Sequence, residues 1–398
     1  MSWTPRRLDE FGHLSRGRSR HRPRDAPHLY GGPYPFIQTG DVKHSGLYIT
    51  EYEQTYSEAG LEQGRLWPAG TLCITIAANI ADTGILCFDA CFPDSVIGLI
   101  PDKSKADARF VKYLFDTTIQ RRVQQFTQGA AQENLSQEKL LSIKFSAPEA
   151  EEQRRIADIL SAYDDLIENN RRRMALLEKA ARQLYEEWFV RLRFPGHERA
   201  LIVGGIPRGW RSVPTPETIE INPPTRLSDE EEHWYVEMSD LPTDSMAIQN
   251  AVKRGGRSGS KFRNGDTLLA RITPCLENGK TGFVNFLADG ENAKGSTEFI
   301  VLRSKCLTPE FVYCLARSYH FRENAIKSMV GSSGRQRVQE TCFDKFMAWV
   351  PPRPVLDLFS AAAEPMFQQV KVLHAQNQKL KAARDILLPR LMSGEIAV

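Results

Sequence analysis

Three short stretches carry residue types that could do chemistry, and each lacks a member of the set that its chemistry needs. Asn222-Pro223-Pro224 resembles the start of the tetrapeptide with which adenine methyltransferases hold a flipped base, but Thr225 stands where an aromatic should stack on that base. No glycine-rich strand-turn-helix fingerprint for a methyl donor accompanies it, so a proline-rich turn is expected. Asn278-Gly279-Lys280-Thr281 ends like a phosphate-binding loop, yet Pro274 replaces the leading glycine whose free backbone the phosphate requires. Asp41-Val42-Lys43 is an acid-x-lysine triplet with no Pro-Asp pair upstream to complete a nuclease set. Cys87 and Cys91 are the closest of seven scattered cysteines, with no second pair and no histidine cluster beside them. Buried reduced thiols are expected, not a metal site. No catalytic residue, metal ligand or bound cofactor is therefore assigned to this chain.

What remains is electrostatic. A net charge of +3 over 398 residues is weak, but its distribution is informative. RGRSRHRPRD at 16–25 concentrates five arginines, and KRGGRSGSKFR at 253–263 alternates cations with glycine and serine. Flexible backbone between cations suits close approach to phosphates, so double-stranded DNA is the expected partner; a solvated mobile loop is the bland alternative. The candidate contacts are Arg16, Arg18, Arg20 and Lys43, then Lys253, Arg257, Lys261, Arg263, Arg335, Gln336 and Arg337. Most would touch phosphate and only a minority a base edge.

The elements that position these residues occur twice. FVKYLF, QGAAQENLS and KAAR at 179–182 recur as FVYCLA, GSSGRQRVQ and KAAR at 381–384. Phe110 pairs with Phe311, Gly129 with Gly331 and Lys179 with Lys381, and Trp3 answers Trp210 in the lead-in to each copy. Two long copies are a tandem duplication, since a solenoid stacks several short units. FIQTGDV at 36–42 answers YVEMSDL at 235–241, and LWPAGTLCI at 66–74 answers FRNGDTLLA at 262–270; both read as strands around a turn.

Each copy ends in a helix. Ile156, Leu160, Tyr163, Ile167, Asn170, Met174, Leu177, Ala181, Leu184 and Trp188 recur in steps of three and four, as do Phe359, Ala363, Met366, Val370, Leu373, Asn377, Leu380, Arg384, Leu387 and Leu391. Such stripes make a helix–helix seam, in which Asn170 and Asn377 could fix register. Pro365 is expected to start the uninterrupted part of the second helix. The fold class is α+β: globular domains at 1–148 and 193–350, each followed by a long helix, 149–192 and 351–398, whose seams most simply pack on each other.

The stretch EEQRRIADILSAYDDLIENNRRRMALLEKAARQLYEEWFV and LLPRLMSGEI near the end are similar to the central and distal conserved regions of type I restriction-modification specificity subunits. The resemblance covers nearly the whole chain. It implies two target-recognition domains, 1–148 and 193–350, reading the halves of a bipartite site, with the two long helices forming an antiparallel coiled coil that sets the unread gap. It also implies two methyltransferase subunits that use S-adenosylmethionine, and restriction subunits that use ATP and magnesium; residues expected outside each seam, such as Arg171, Arg172, Glu186 and Trp188, are the candidate contacts for the methyltransferase subunits. The recognition subunit of a type II enzyme, or a coiled-coil scaffold that does not bind DNA, are the alternative readings. No apolar run reaches the roughly 18–20 residues of a membrane span, and MSWTPRRLDE has no apolar signal stretch, so a cytoplasmic protein is expected.

Overall fold

The computed structural model describes residues 3–126, 137–227, 232–256, 258–332 and 334–398, with 120–126 described by their backbone alone. The QGAAQENLS segment and Arg257 lie outside the described residues. The chain divides into two compact units, one made of the residues up to 169 together with 377–398, the other of Asn170–Gln376.

In unit one, Thr4–Arg7 pairs antiparallel with Lys144–Ala147. A five-stranded sheet follows in the order Gly12–Arg16, Val96–Pro101, Leu72–Thr75, Thr83–Leu86, Tyr48–Ile49. Its central strands Leu72–Thr75 and Thr83–Leu86 are buried throughout, because both faces are covered. Leu72, Ile74 and Leu99 pack beneath helix Ala108–Phe126 through Phe110, Val111 and Phe115. Cys73 and Val96 pack the other way, against Trp67 and Phe92, whose rings stack at 4.7 Å. Gly98 must be glycine, since a Cβ there would come within 2.6 Å of the Trp67 ring.

Unit two has the same plan with an addition. Arg211–Pro214 pairs antiparallel with Met347–Val350 immediately after Trp210, as Thr4–Arg7 does after Trp3. A four-stranded sheet runs in the order Ile219–Ile221, Phe299–Ser304, Thr267–Ala270, Thr281–Phe283, the order of the first four strands of the unit-one sheet. A second sheet, in the order Val252–Arg254, His233–Val236, Asn292–Gly295, Ser260–Arg263, completes the unit.

Each long helix contributes to both units. In unit one, Ile156, Ala157 and Leu160 of helix Ala150–Tyr185 share a core with Leu391 and Met392 of helix Arg353–Met392. Asp164 accepts from the Tyr113 hydroxyl at 2.5 Å and pairs with Arg384, and the Asn377 side chain donates to the Ile167 carbonyl at 3.2 Å. Within this unit the helices therefore run in opposite directions. In unit two, Phe189 packs against Phe359 at 5.0 Å and Phe311 at 4.7 Å. Of the seam residues, Ile156, Leu160, Ile167, Asn170 and Leu373 are buried, and Tyr163, Leu177, Leu184, Asn377, Leu380 and Leu387 are half-buried.

Several expectations need correction. Helix Arg353–Met392 runs straight through Pro365. The carbonyl that loses its partner belongs to Ala361 on the same exposed side, where water can serve it, while Phe359, Ala363, Phe367 and Val370 hold the buried stripe on either side. Phe367 takes the core place expected of Met366. FIQTGDV is only a strand end, giving way to helix Thr39–His44, where the Asp41 carboxylate caps the Gln38 amide. YVEMSDL likewise leaves strand His233–Val236 for the 3-10 turn Met238–Asp240. FRNGDTLLA is no hairpin: Ser260–Arg263 pairs with Asn292–Gly295 and Thr267–Ala270 with Phe299–Ser304, in different sheets. In LWPAGTLCI, only Leu72–Thr75 is a strand, while Trp67 makes an isolated bridge to Ala90. Cys73, Cys91 and Cys314 are buried, but Cys87 and Cys306 are exposed. Trp188 is half-buried, 6.2 Å from the Phe359 ring, so it is not a free surface residue.

Candidate nucleic-acid interface

In unit one the chain leaves strand Gly12–Arg16 in an extended run whose exposed residues alternate: Arg16, Arg18 and Arg20 face out while Gly17 and Ser19 are buried. Backbone bonds from Gly17 to Val96 and from Arg18 to Phe92 hold this run in place. A Cβ on Gly17 would lie 2.3 Å from the carbonyls of Phe92 and Pro93, which makes glycine obligatory there. The Arg16 guanidinium donates to the Asp94 carbonyl at 2.7 and 3.0 Å, and Arg24 pairs with the Asp94 carboxylate at 2.9 Å. Lys43, exposed on helix Thr39–His44, bonds instead to Asn79 at 3.2 Å. Arg65 was not anticipated. It lies over the Trp67 ring at 4.2 Å and donates to Ser15 at 3.2 Å, beside His13 on the same strand.

In unit two, strand pairing sorts the candidates by face. Side chains of directly paired residues lie on one side of a sheet. The pairings Val252–Tyr235, Tyr235–Lys294 and Lys261–Lys294 therefore place Arg254, Tyr235, Lys294, Lys261 and Arg263 on a single face. Arg254 lies over the Tyr235 ring at 4.7 Å and is held by Glu237. Lys253 belongs to the opposite face, 5.5 Å over Trp234. The structure thus brings Lys261 and Arg263 together and separates Lys253 from them. Lys294, which sequence inspection passed over, is nearly fully buried beneath the turn that follows Arg254.

The GSSGRQRV segment turns back on itself. Val330 and Arg337 exchange backbone bonds at 3.0 and 2.9 Å, and the Thr273 amide donates to the Gln336 carbonyl. Gly331 and Gly334 have φ of 136° and 77°, values that favour glycine. Arg335 is exposed and Gln336 half-buried. Arg337 is committed elsewhere: its guanidinium grips the Glu298 carboxylate at 2.6–2.9 Å and holds that carboxyl below its usual pKa. A base or phosphate would have to compete with this pair.

Residues of the enzyme-like fragments make bonds within unit two. Asn222 has φ of 48°, and its side chain accepts from the Val301 amide at 2.9 Å, while Thr225 accepts from Arg303. Lys280 donates to the Met238 carbonyl at 2.6 Å. Among the described residues, no group of three or more histidine, cysteine or acidic side chains is placed to hold a metal. No helix of the described residues is long and apolar enough to cross a membrane.

Two α+β units with recurring strand order, each built on parts of the same two long helices, have a counterpart among solved structures at the level of fold. The S subunit of a type I restriction-modification system from M. genitalium aligns over 98% of this chain and 96% of its own, with a TM-score of 0.56 at 15% identity. Residues 1–179 match the family model described as the type I restriction modification DNA specificity domain. The type I restriction enzyme MjaIX specificity subunit of Methanocaldococcus jannaschii is 25% identical over 419 residues, covering 100% of this chain and 94% of the relative. The EcoEI specificity subunit of Escherichia coli is 30% identical over 156 residues, 37% of this chain and 26% of that subunit. The chain is thus similar, in its first 179 residues and more weakly along its whole length, to type I restriction-modification specificity subunits.

Proposed function

We propose that this chain is the sequence-reading, non-catalytic subunit of a type I restriction-modification complex acting in the cytoplasm. Each recognition domain, 1–148 and 193–350, docks in a groove of double-stranded DNA and reads one half of a bipartite site. Arginine to guanine and asparagine or glutamine to adenine are the contacts that would specify it. The long helices act as an antiparallel coiled coil that sets the gap and presents equivalent surfaces to two methyltransferase subunits. Those partners bring S-adenosylmethionine, and restriction subunits bring ATP and magnesium.

The observation that carries the reading is the recurrence, in each unit, of a tryptophan-led strand pair and the same four-strand order beside an exposed set of cations. Arg16, Arg18 and Arg20 form that set in unit one, and Arg254 and Arg263, with the half-buried Lys261 on the same face, in unit two. The test compares the adenine methylome of the host with and without the gene. Loss of one bipartite motif with a fixed gap is expected and would give both half-sites; an unchanged methylome in a strain that makes the complex would overturn the proposal.

A further inference from the structure

Lys294 stands in strand Asn292–Gly295 and is 1% exposed. Its ammonium donates to the Gly255 carbonyl at 2.6 Å and also to the Gly256 carbonyl. Burying an ammonium opposes folding unless hydrogen bonds replace its water, and a methionine would fill similar space without that cost. The two bonds therefore point to a task for the turn they hold. Across a planar trans peptide, the carbonyl of one residue and the amide of the next point in opposite directions. Drawing the Gly255 carbonyl inward thus turns the Gly256 amide outward, on a residue that is exposed and has φ of 85°.

The far end of the turn is clamped by the neighbouring residue. Gly259 has φ of 117°, and a Cβ there would lie 2.1 Å from the Gly295 carbonyl oxygen. Lys294 thus bonds Gly255 and Gly256, while the Gly295 backbone lies close against Gly259. Beside it, on the same sheet face, stand Lys261, Arg263 and Arg254, the last held over Tyr235 by Glu237.

We infer that Lys294 is a positioning residue that shapes the Gly255–Gly256 turn into a subsite for one DNA backbone phosphate, with the Gly256 amide and Lys261 as its direct contacts. Outward amides in a glycine turn make an anion-binding concavity, and the adjacent cation adds charge. The inference rests on the DNA-binding role proposed above.

The experiment uses the full chain assembled with its co-expressed methyltransferase partners, and a duplex carrying the methylated motif. Affinity is titrated against KCl for the wild type, Lys294→Met, Lys294→Arg, Lys261→Ala and the Met/Ala double variant. Loss of one phosphate contact should weaken binding about eightfold near 0.1 M salt and flatten the salt slope by about one. Lys294→Met should show this at an undiminished thermal midpoint, Lys294→Arg should recover part of it, and the double variant should lose little more than either single. A Lys294→Met complex with wild-type affinity and slope would overturn the inference. If Lys294→Met does not fold, Lys261→Ala decides, and an unchanged slope there overturns it. A wild-type complex without salt-dependent binding would instead sink the DNA-binding reading itself.

Discussion

Asp164 ties three elements of unit one, and removing its carboxylate gives a sharp test of how the second long helix is held there. It accepts from Tyr113 on helix Ala108–Phe126 and pairs with Arg384, with side-chain exposures of 13% for Asp164 and 22% for Arg384. Asp164→Ala leaves a buried hydroxyl and a half-buried guanidinium without this acceptor. A hydrogen bond to a charged group contributes about 1.5–3 kcal/mol. The Arg384 part belongs at the low end, because Asp385 still bonds the guanidinium at 2.7 Å. Together the two losses should cost about 3 kcal/mol, which lowers Tm by about 6–12 °C for a unit of this size. Unfolding followed by calorimetry or denaturant titration measures this directly. The triple variant Tyr113→Phe, Asp164→Ala, Arg384→Met should regain at least half of the loss, since it leaves no orphaned donor. An Asp164→Ala protein within about 0.5 kcal/mol of wild type, or a triple variant less stable than the single, would refute the reasoning.

Four further outcomes are expected. Arg337→Ala should weaken DNA binding and lower the salt slope by about one; unchanged affinity and slope would leave Arg337 a purely structural partner of Glu298. The Glu298 carboxyl is held low by Arg337, so its contribution to stability is complete above the unfolded value near 4.5 and disappears as pH falls through the lowered folded value. Wild type should therefore lose more stability on acidification below about pH 5 than Glu298→Gln does, as followed by thermal melts across pH. Gly259→Ala combines φ of 117° with a 2.1 Å approach to the Gly295 carbonyl, and should destabilise unit two by about 2 kcal/mol or more in denaturant titrations. Inserting one heptad before Asn170 lengthens that helix by about 10.5 Å, about three base-pair steps of roughly 3.4 Å each. The methylome should then show an altered gap or no methylation, and an active complex with the original gap would defeat the ruler.

The helices were the most legible part of the chain, because their three-and-four spacing survives in the buried pattern of Ile156, Leu160, Ile167 and Asn170. The basic stretches were legible as surfaces, though Lys253 and Lys261 turned out to lie on opposite faces, a fact set by strand pairing and invisible to composition. Lys294 was missed because Asn292-Ala293-Lys294-Gly295 looks like a solvated loop until the strand is placed between two others. Arg65 owes its place to a strand some fifty residues earlier, and no local pattern announces that. Glu178 sits on the stripe side of its helix yet is a carboxylate, 3% exposed. It is acceptable there because the Tyr313 hydroxyl and the Met246 amide each donate to it at 2.6 Å. Burial still raises its pKa. Pro365 misled for the opposite reason: the rule against proline assumes that the orphaned carbonyl is buried, and here it faces water.

The sharing of long helices has a consequence for how the protein is made. Leu391 and Met392 complete the core of unit one, and Gly394 lies against Trp3. The part of the protein that leaves the ribosome first must therefore wait for residues 377–398, translated after the whole of unit two. Until then the apolar side of helix Ala108–Phe126 and the start of helix Ala150–Tyr185 lack part of their cover. Contacts spanning such distances close slowly, and exposed apolar surface invites chaperones. A nonsense codon late in the reading frame would thus strike the earliest-synthesised unit, and a graft that replaces unit two would fold only if both ends of its neighbour were kept.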